Sequence, residues 1–246
     1  MSSDVYFYTV GGELYYRWKH GQPGGDALQV AARSLGFGSP SGISLPSEAT
    51  GRVPDPEWKK QVHAANPVAF PYPDWLPGDS ILNAIGQNGV LVTPIQLANA
   101  YATLANGGTH FSPRLADQVL DASGRKIRDL PAIPLGQVDI PDRDVLMAGF
   151  TGVVENPKGT AYGSFTGFPA GSVAGKTGTA QVAGKQATSL FVGMTPAVNP
   201  RYVVLAVVEE GGYGAQTAAP IVRAVMQQLN HLPVTPVTNA APSTGN

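Results

Sequence analysis

The chain has 246 residues, 43% of them hydrophobic and 13% charged, with 16 Lys and Arg against 17 Asp and Glu and no cysteine. That length can bury a sizeable core in one large domain or two small ones, and the balanced charge argues against a basic nucleic-acid-binding face. Without cysteine there are no disulfides, no thiolate catalysis and no cysteine-bound metal, a composition that also fits an extracytoplasmic location. His20, His63, His110 and His231 are scattered without ligand spacing, so neither a metal nor another cofactor is expected. No apolar run reaches the ~18 residues of a membrane span, and no signal-peptide pattern opens the chain. It starts directly in what reads as structure, Met1-Ser2-Ser3-Asp4-Val5-Tyr6-Phe7-Tyr8, so an N-terminal part of a longer protein is expected to precede it.

In chain order, residues 4–18 read as a helical or mixed apolar segment rich in aromatics. Asp26 opens a short amphipathic helix with Leu28, Ala31, Ala32 and Leu35 on one face and Gly36 as its stop. From Phe37 to Gly78 eight prolines predict a long loop, and loops of that length are often functional. The clearest helix runs from Pro94 to Ala105. Thr93 is its N-cap, Pro94 sits in its first turn, Gln96 completes a capping box, and Asn106-Gly107-Gly108 ends it. Gln118 to Ile127 reads as a hairpin turning at Ala122-Ser123-Gly124, and a second amphipathic helix spans Asp142–Glu155. Three strands, Gly171–Val182, Ala187–Met194 and Tyr202–Glu209, are joined by short turns and predict an antiparallel meander. A last helix starts at Pro220, and the tail 231–246, rich in Pro, Thr and Ala, reads as disordered. Helices followed by an antiparallel sheet and a closing helix make an α+β domain over residues 1–230.

Lys176-Thr177-Gly178-Thr179 carries the strongest chemical signal. Strand alternation sends Lys176 and Gly178 one way and Thr177 and Thr179 the other, and Gly178 lets a ligand backbone come close. On a sheet edge, the free N–H groups could pair with an extended peptide or bind an oxyanion. Taken alone, the triplet also suits a strand with a surface lysine. Ser2-Ser3-Asp4 equally suits a helix N-cap. Gln87 and Asn88 read either as turn residues or as neighbours of an active site. Tyr213 and the Gly211–Gly214 loop either border a cleft or form an ordinary turn, while Trp58 and Trp75 read as local packing.

The ordered series resembles the transpeptidase domain of class B penicillin-binding proteins of the elongation type. It consists of Ser2-Ser3-Asp4, then Gly86-Gln87-Asn88-Gly89 running into Thr93-Pro94-Ile95-Gln96, Gly159-Thr160-Ala161, Lys176-Thr177-Gly178 and Glu209-Glu210-Gly211-Gly212. The likeness covers Ser2 to about Asn230. It implies the β-lactamase/transpeptidase-like α+β fold, an antiparallel sheet with helices packed on it, and serine acyl transfer on D-Ala-D-Ala stem peptides. Ser2 and Asp4 match the family's second motif, and Lys176, Thr177 and Gly178 its third. The implied roles are proton relay for Ser2 and orientation of a lysine or of substrate for Asp4. Lys176 would supply positive potential, Thr177 and Thr179 would bind the substrate carboxylate, and the Thr179 N–H would form half of an oxyanion hole.

The first motif, Ser-x-x-Lys, precedes the second in the family, and no residue of this chain can provide it there. The pattern occurs here only as Ser123-Gly124-Arg125-Lys126, at a hairpin tip where a nucleophile helix cannot form. Residues 1–230 are therefore expected to be the C-terminal part of the domain, with an incomplete sheet, an exposed edge at the last strand and apolar surface left open. Such a piece would neither be acylated by β-lactams nor fold stably alone. The implied partners are stem peptides, β-lactams, a glycosyltransferase and other membrane proteins of the elongation machinery, with no nucleic acid. The implied place is the extracytoplasmic face of the membrane, with the anchor outside this sequence. A D,D-carboxypeptidase or β-lactamase-type hydrolase of the same fold, or a non-catalytic scaffold module of cell-wall synthesis, would share these motifs.

Overall fold

Capping and proline placement set the helix starts. The computed structural model describes residues 2–235 and 237. Helix α1 (Asp4–Lys19) has Ser3 as N-cap, its Oγ accepting from the Tyr6 N–H at 3.4 Å, and Asp4 in the first turn complements the helix dipole. Helix α2 (Ala27–Ser34) follows Asp26 and ends before Gly36. Helix α5 (Pro94–Ala105) carries the expected capping box, with Gln96 N–H to Thr93 Oγ1 at 3.2 Å and Thr93 N–H to Gln96 Oε1 at 2.8 Å. Helices α6 (Arg143–Glu155) and α8 (Ala218–Leu229) also form where expected.

The loop expected from Phe37 to Gly78 is corrected by the structure. It contains α3 (Pro56–Ala65), and α4 (Pro77–Asn83) begins within it. Proline density predicts a loop, whereas at a first helical position proline costs no hydrogen bond and its fixed φ suits the helix. Asp55 caps α3 by accepting from the Trp58 N–H at 2.8 Å, and Asp79 reaches back to the Leu76 N–H at 2.7 Å to start α4. Trp75 is buried, its Nε1 donating to Ser80 Oγ at 2.8 Å. The short helix α7 (Tyr162–Phe165) had no signal in the sequence.

Strands β1 (Thr109–Ser112) and β4 (Ile133–Gln137) form one antiparallel pair, and β2 (Gln118–Leu120) and β3 (Lys126–Asp129) form the expected hairpin. The meander is β5 (Ala174–Ala180), β6 (Thr188–Thr195) and β7 (Tyr202–Val208), antiparallel in the order β5-β6-β7. Each outer strand pairs on one side only among the described residues, so both β5 and β7 present an edge.

Alternation along β6 sorts the core. Phe191, with its register partner Ala206, faces α8, where Ala218, Ala219, Val222 and Met226 are fully buried. Gly193 on this face allows the close approach, since a Cβ there would come within 2.5 Å of the Met226 Cε. On the opposite face Met194 and Ala174 pack with Ala105 of α5 and Met147 of α6. Lys176 and Gly178 follow Ala174 on that second face, as strand alternation requires. At the chain's end, Thr235 Oγ1 accepts from Gln227 Nε2 at 2.9 Å; 236 and 238–246 of the tail lie outside the described residues.

Candidate active site

Two elements distant in sequence bring the motif residues together. Helix α1 lies tightly on α4, close enough that a Cβ on Gly11 would sit 2.7 Å from Ile81 Cα. That contact holds the α1 N-terminus beside β5, and Lys176 Nζ lies 3.4 Å from Ser2 Oγ. The same ammonium donates to the Thr177 carbonyl at 2.6 Å. Burial pushes the Lys176 pKa below the usual lysine range, and the nearby Asp4 carboxylate opposes the shift. Because the cap is Ser3, the Ser2 hydroxyl remains outside the helix and free to meet the lysine.

The threonines sit differently. Thr177 Oγ1 lies 2.8 Å from Thr160 Oγ1, in the segment between α6 and α7, so this hydroxyl already has a protein partner. Thr160 belongs to the Gly159-Thr160-Ala161 run, to which no role was attached on sequence grounds. A Cβ on Gly159 would lie 2.3 Å from the Gly152 carbonyl, which explains why this turn needs glycine. Thr179 is exposed, and Gly178 is half-buried. The Gly211–Gly214 loop touches the same strand, since a Cβ on Gly214 would lie 2.6 Å from the Gly178 carbonyl.

Gly178, Thr179 and Ala180 of β5, Thr188 and Leu190 of β6 and Val207 of β7 line a cleft of about 590 Å³ that runs across the sheet face, and Lys176 and Ser2 are not among its lining residues. Ile85, Gly86, Gln87 and Val90 to Val92 form its wall on the helical side, while Lys185, Glu209 and Glu210 lie at its rim beyond the end of β5. Asn88 is a turn residue with φ 58°, bonded through Nδ2 to Asp79 Oδ1 at 2.9 Å. Its neighbour Gln87 borders the cleft, which divides the pair that the sequence left open. Lys185 carried no signal in the sequence. Trp58 packs locally, against Phe70 and under Arg52.

Ser123 sits at the β2–β3 hairpin tip with its Oγ bonded to Asp121 Oδ1 at 2.6 Å, and Lys126 pairs with Asp129 at 3.1 Å. Serine and lysine thus face different carboxylates, and neither approaches β5 as a nucleophile–base pair. Among the described residues no group of three or more His, Asp or Glu side chains could hold a metal ion.

The Penicillin binding protein transpeptidase domain family matches residues 1–227. Among curated proteins, the peptidoglycan D,D-transpeptidase MrdA of Acinetobacter baumannii is 32% identical over 243 residues, covering 90% of this chain and 33% of that protein. A crystal structure of Pseudomonas aeruginosa PBP2 in complex with WCK 5153 is 33% identical with a TM-score of 0.73, covering 92% of this chain and 45% of that one. A complex between PBP2 and MreC from Helicobacter pylori matches at 28% identity and a TM-score of 0.70, covering 93% of this chain and 39% of that one. The chain spans about a third of the length of the curated relative it matches. Motif order, α+β fold and these likenesses agree: the chain belongs to the penicillin-binding protein transpeptidase domain family, among its elongation-type members.

Proposed function

We propose that residues 1–230 are the C-terminal part of a D,D-transpeptidase domain that cross-links peptidoglycan, with the acylating serine supplied by residues outside the 246. The observation that carries this reading is the meeting of Lys176 and Ser2 at 3.4 Å beside the free edge of β5. In the reaction, a serine Oγ attacks the carbonyl of the penultimate D-Ala of a stem peptide. The serine proton passes to the nitrogen of the last D-Ala, which leaves as the free amino acid. The amine of a second stem peptide then attacks the ester carbonyl and loses a proton, the C–O bond to serine breaks, and Oγ regains a proton.

Ser2 and Lys176 form the proton path in this scheme, and Asp4 favours the charged form of the lysine against its burial. Thr177 and Thr179 hydroxyls receive the substrate carboxylate, Thr177 while bonded to Thr160. The Thr179 N–H donates to the developing oxyanion, a type of donor whose loss costs roughly 3–4 kcal/mol. The substrate peptide lies along β5 as an added strand. β-Lactams acylate the same serine. We place the protein at the extracytoplasmic face of the membrane, anchored by a segment outside these residues; no helix among those described is long and apolar enough to cross a membrane. The Helicobacter pylori complex of PBP2 with MreC supports a protein partner for the parent protein, and we count a glycosyltransferase of the elongation machinery among the proposed partners.

The test is Lys176→Ala in the full-length protein, with acylation by a fluorescent penicillin and product analysis on a stem-peptide substrate. The variant is expected to acylate about 10²–10⁴-fold more slowly, as for loss of a general acid–base group. The wild type is expected to yield cross-linked dimer. An unchanged rate in the variant would remove Lys176 from the site, and hydrolysed monomer as the sole wild-type product would make the enzyme a carboxypeptidase.

A further inference from the structure

Thr160 stands in a turn that is fixed on both sides. Helix α6 adds Met147 to the apolar cluster on one face of the sheet and Val153 and Val154 to the cluster on the other, so it flanks the edge of β5. The turn after it folds back on its last residues. The Gly159 N–H donates to the Asn156 carbonyl at 2.7 Å, and the Ala161 N–H donates to the Val153 carbonyl at 3.0 Å. Gly159 has no room for a side chain, since a Cβ there would lie 2.4 Å from the Val153 carbonyl oxygen, and Ala161 is 1% exposed in the core. Between these two anchors Thr160 is half-buried and brings its hydroxyl to β5, 2.8 Å from Thr177 Oγ1.

Two hydroxyls in contact share one hydrogen bond, and each brings one proton and two lone pairs to it. Among the described residues neither Thr160 nor Thr177 has another side-chain hydroxyl partner, so in the free protein either can be the donor. A carboxylate only accepts, and it removes that choice. If Thr177 gave its proton to Thr160, it would turn a lone pair toward the anion. If Thr160 gives its proton to Thr177, the Thr177 proton is left for the anion. The chain Thr160 O–H to Thr177 O–H to carboxylate is then the favourable order, and each bond polarises the next. The β-branched Thr177 side chain is stiff at χ1, so its oxygen stays where Thr160 meets it.

We infer that Thr160 is a positioning residue for substrate recognition: its hydroxyl donates to Thr177 Oγ1 and so aims the Thr177 proton at the terminal carboxylate of the acyl donor. Thr160 thereby sets the preference for a donor with a free carboxylate over one whose carboxylate is capped. This inference rests on the transpeptidase reading, in which Thr177 binds that carboxylate, and adds to it the group that orients Thr177.

The test compares two acyl donors on the full-length protein, a peptidyl-D-alanyl thioglycolate with its free carboxylate and the methyl ester of the same compound. In Thr160→Val, which keeps the shape and removes the hydroxyl, the ratio of their acylation rate constants (free acid over ester) is expected to fall about fivefold, the size of one hydrogen bond. Thr160→Ser keeps a hydroxyl and is expected to restore most of the ratio. In a Thr177→Val background, adding Thr160→Val is expected to lower the ratio no further, because the proton that Thr160 aims is already gone. An unchanged ratio in Thr160→Val overturns the inference. So does an equal fall for both donors, which a merely structural role in the turn would produce, or a further fivefold fall in the Thr177→Val background. A wild type acylated by neither donor would instead overturn the transpeptidase reading, and this inference with it.

Discussion

Lys176 illustrates how one residue is tuned by two opposing effects. Its strand position buries the ammonium, which favours the neutral amine, while Asp4 on α1 favours the charged form. A lysine so placed can take up and release a proton closer to neutral pH than a free one. Removing the Asp4 charge leaves burial unopposed, so Asp4→Asn lowers the Lys176 pKa further. If Lys176 acts as the charged form, the alkaline limb of the β-lactam acylation profile then moves to lower pH. A pH–rate profile of the variant checks this, and a limb that stays in place or moves up would contradict it. At this scale Ser2, Asp4, Lys176 and Gly178 were all legible from their motifs. The Thr160–Thr177 hydroxyl pair was not, because it joins residues 17 positions apart through a turn that has no periodic signal.

Among the elements, α5 shows how a local signature becomes a tertiary tether. The sequence of the capping box identifies Thr93 and Gln96. The fold adds that Gln96 is 2% exposed and that its Nε2 also donates to the Ser39 and Thr50 carbonyls at 2.7 and 2.8 Å. One side chain thus starts a helix and pins the proline-rich segment to it. Thr93→Ala should cost about 1 kcal/mol, the ordinary value of a cap. Gln96→Leu removes the partner of the Ser39 and Thr50 carbonyls and of the Thr93 N–H and should cost roughly 2–4 kcal/mol. Urea unfolding of the full-length protein measures both, and equal costs would show that the tether adds nothing beyond the cap. The long loop expected from Phe37 to Gly78 gives way to α3 and the start of α4 for a related reason. Proline density marks boundaries but does not say which side of the boundary is helical; Asp55 and Pro56 together do.

For the whole molecule, the helical first turns are apolar yet uncovered. Val5, Tyr6 and Phe7 of α1 are 75%, 64% and 45% exposed although they adjoin the motif. Exposed apolar surface of this kind beside a site marks a place where another segment or partner packs. The 246-residue chain by itself is therefore expected to bind an apolar dye such as ANS and to take no covalent label from a fluorescent penicillin. Its Ser-x-x-Lys serine is tied to Asp121 at a hairpin tip, far from the ordering that acylation needs. Stoichiometric labelling, mapped by peptide mass, would show a nucleophile within these residues.

The sequence by itself determined the family, the α+β order of elements, the antiparallel meander and the residues of two motifs. Each of these depends on local chemistry: strand alternation, caps, turn residues and short ordered patterns. Only the tertiary structure decided that Ser2 lies within 3.4 Å of Lys176 and that Thr177 is already paired with Thr160. It also decided that Gln87 faces the cleft while Asn88 serves the turn. Distances between residues far apart in the chain come from how α1 seats on α4 and how that unit meets the sheet. No local pattern encodes that seating; the packing of the assembled elements sets it.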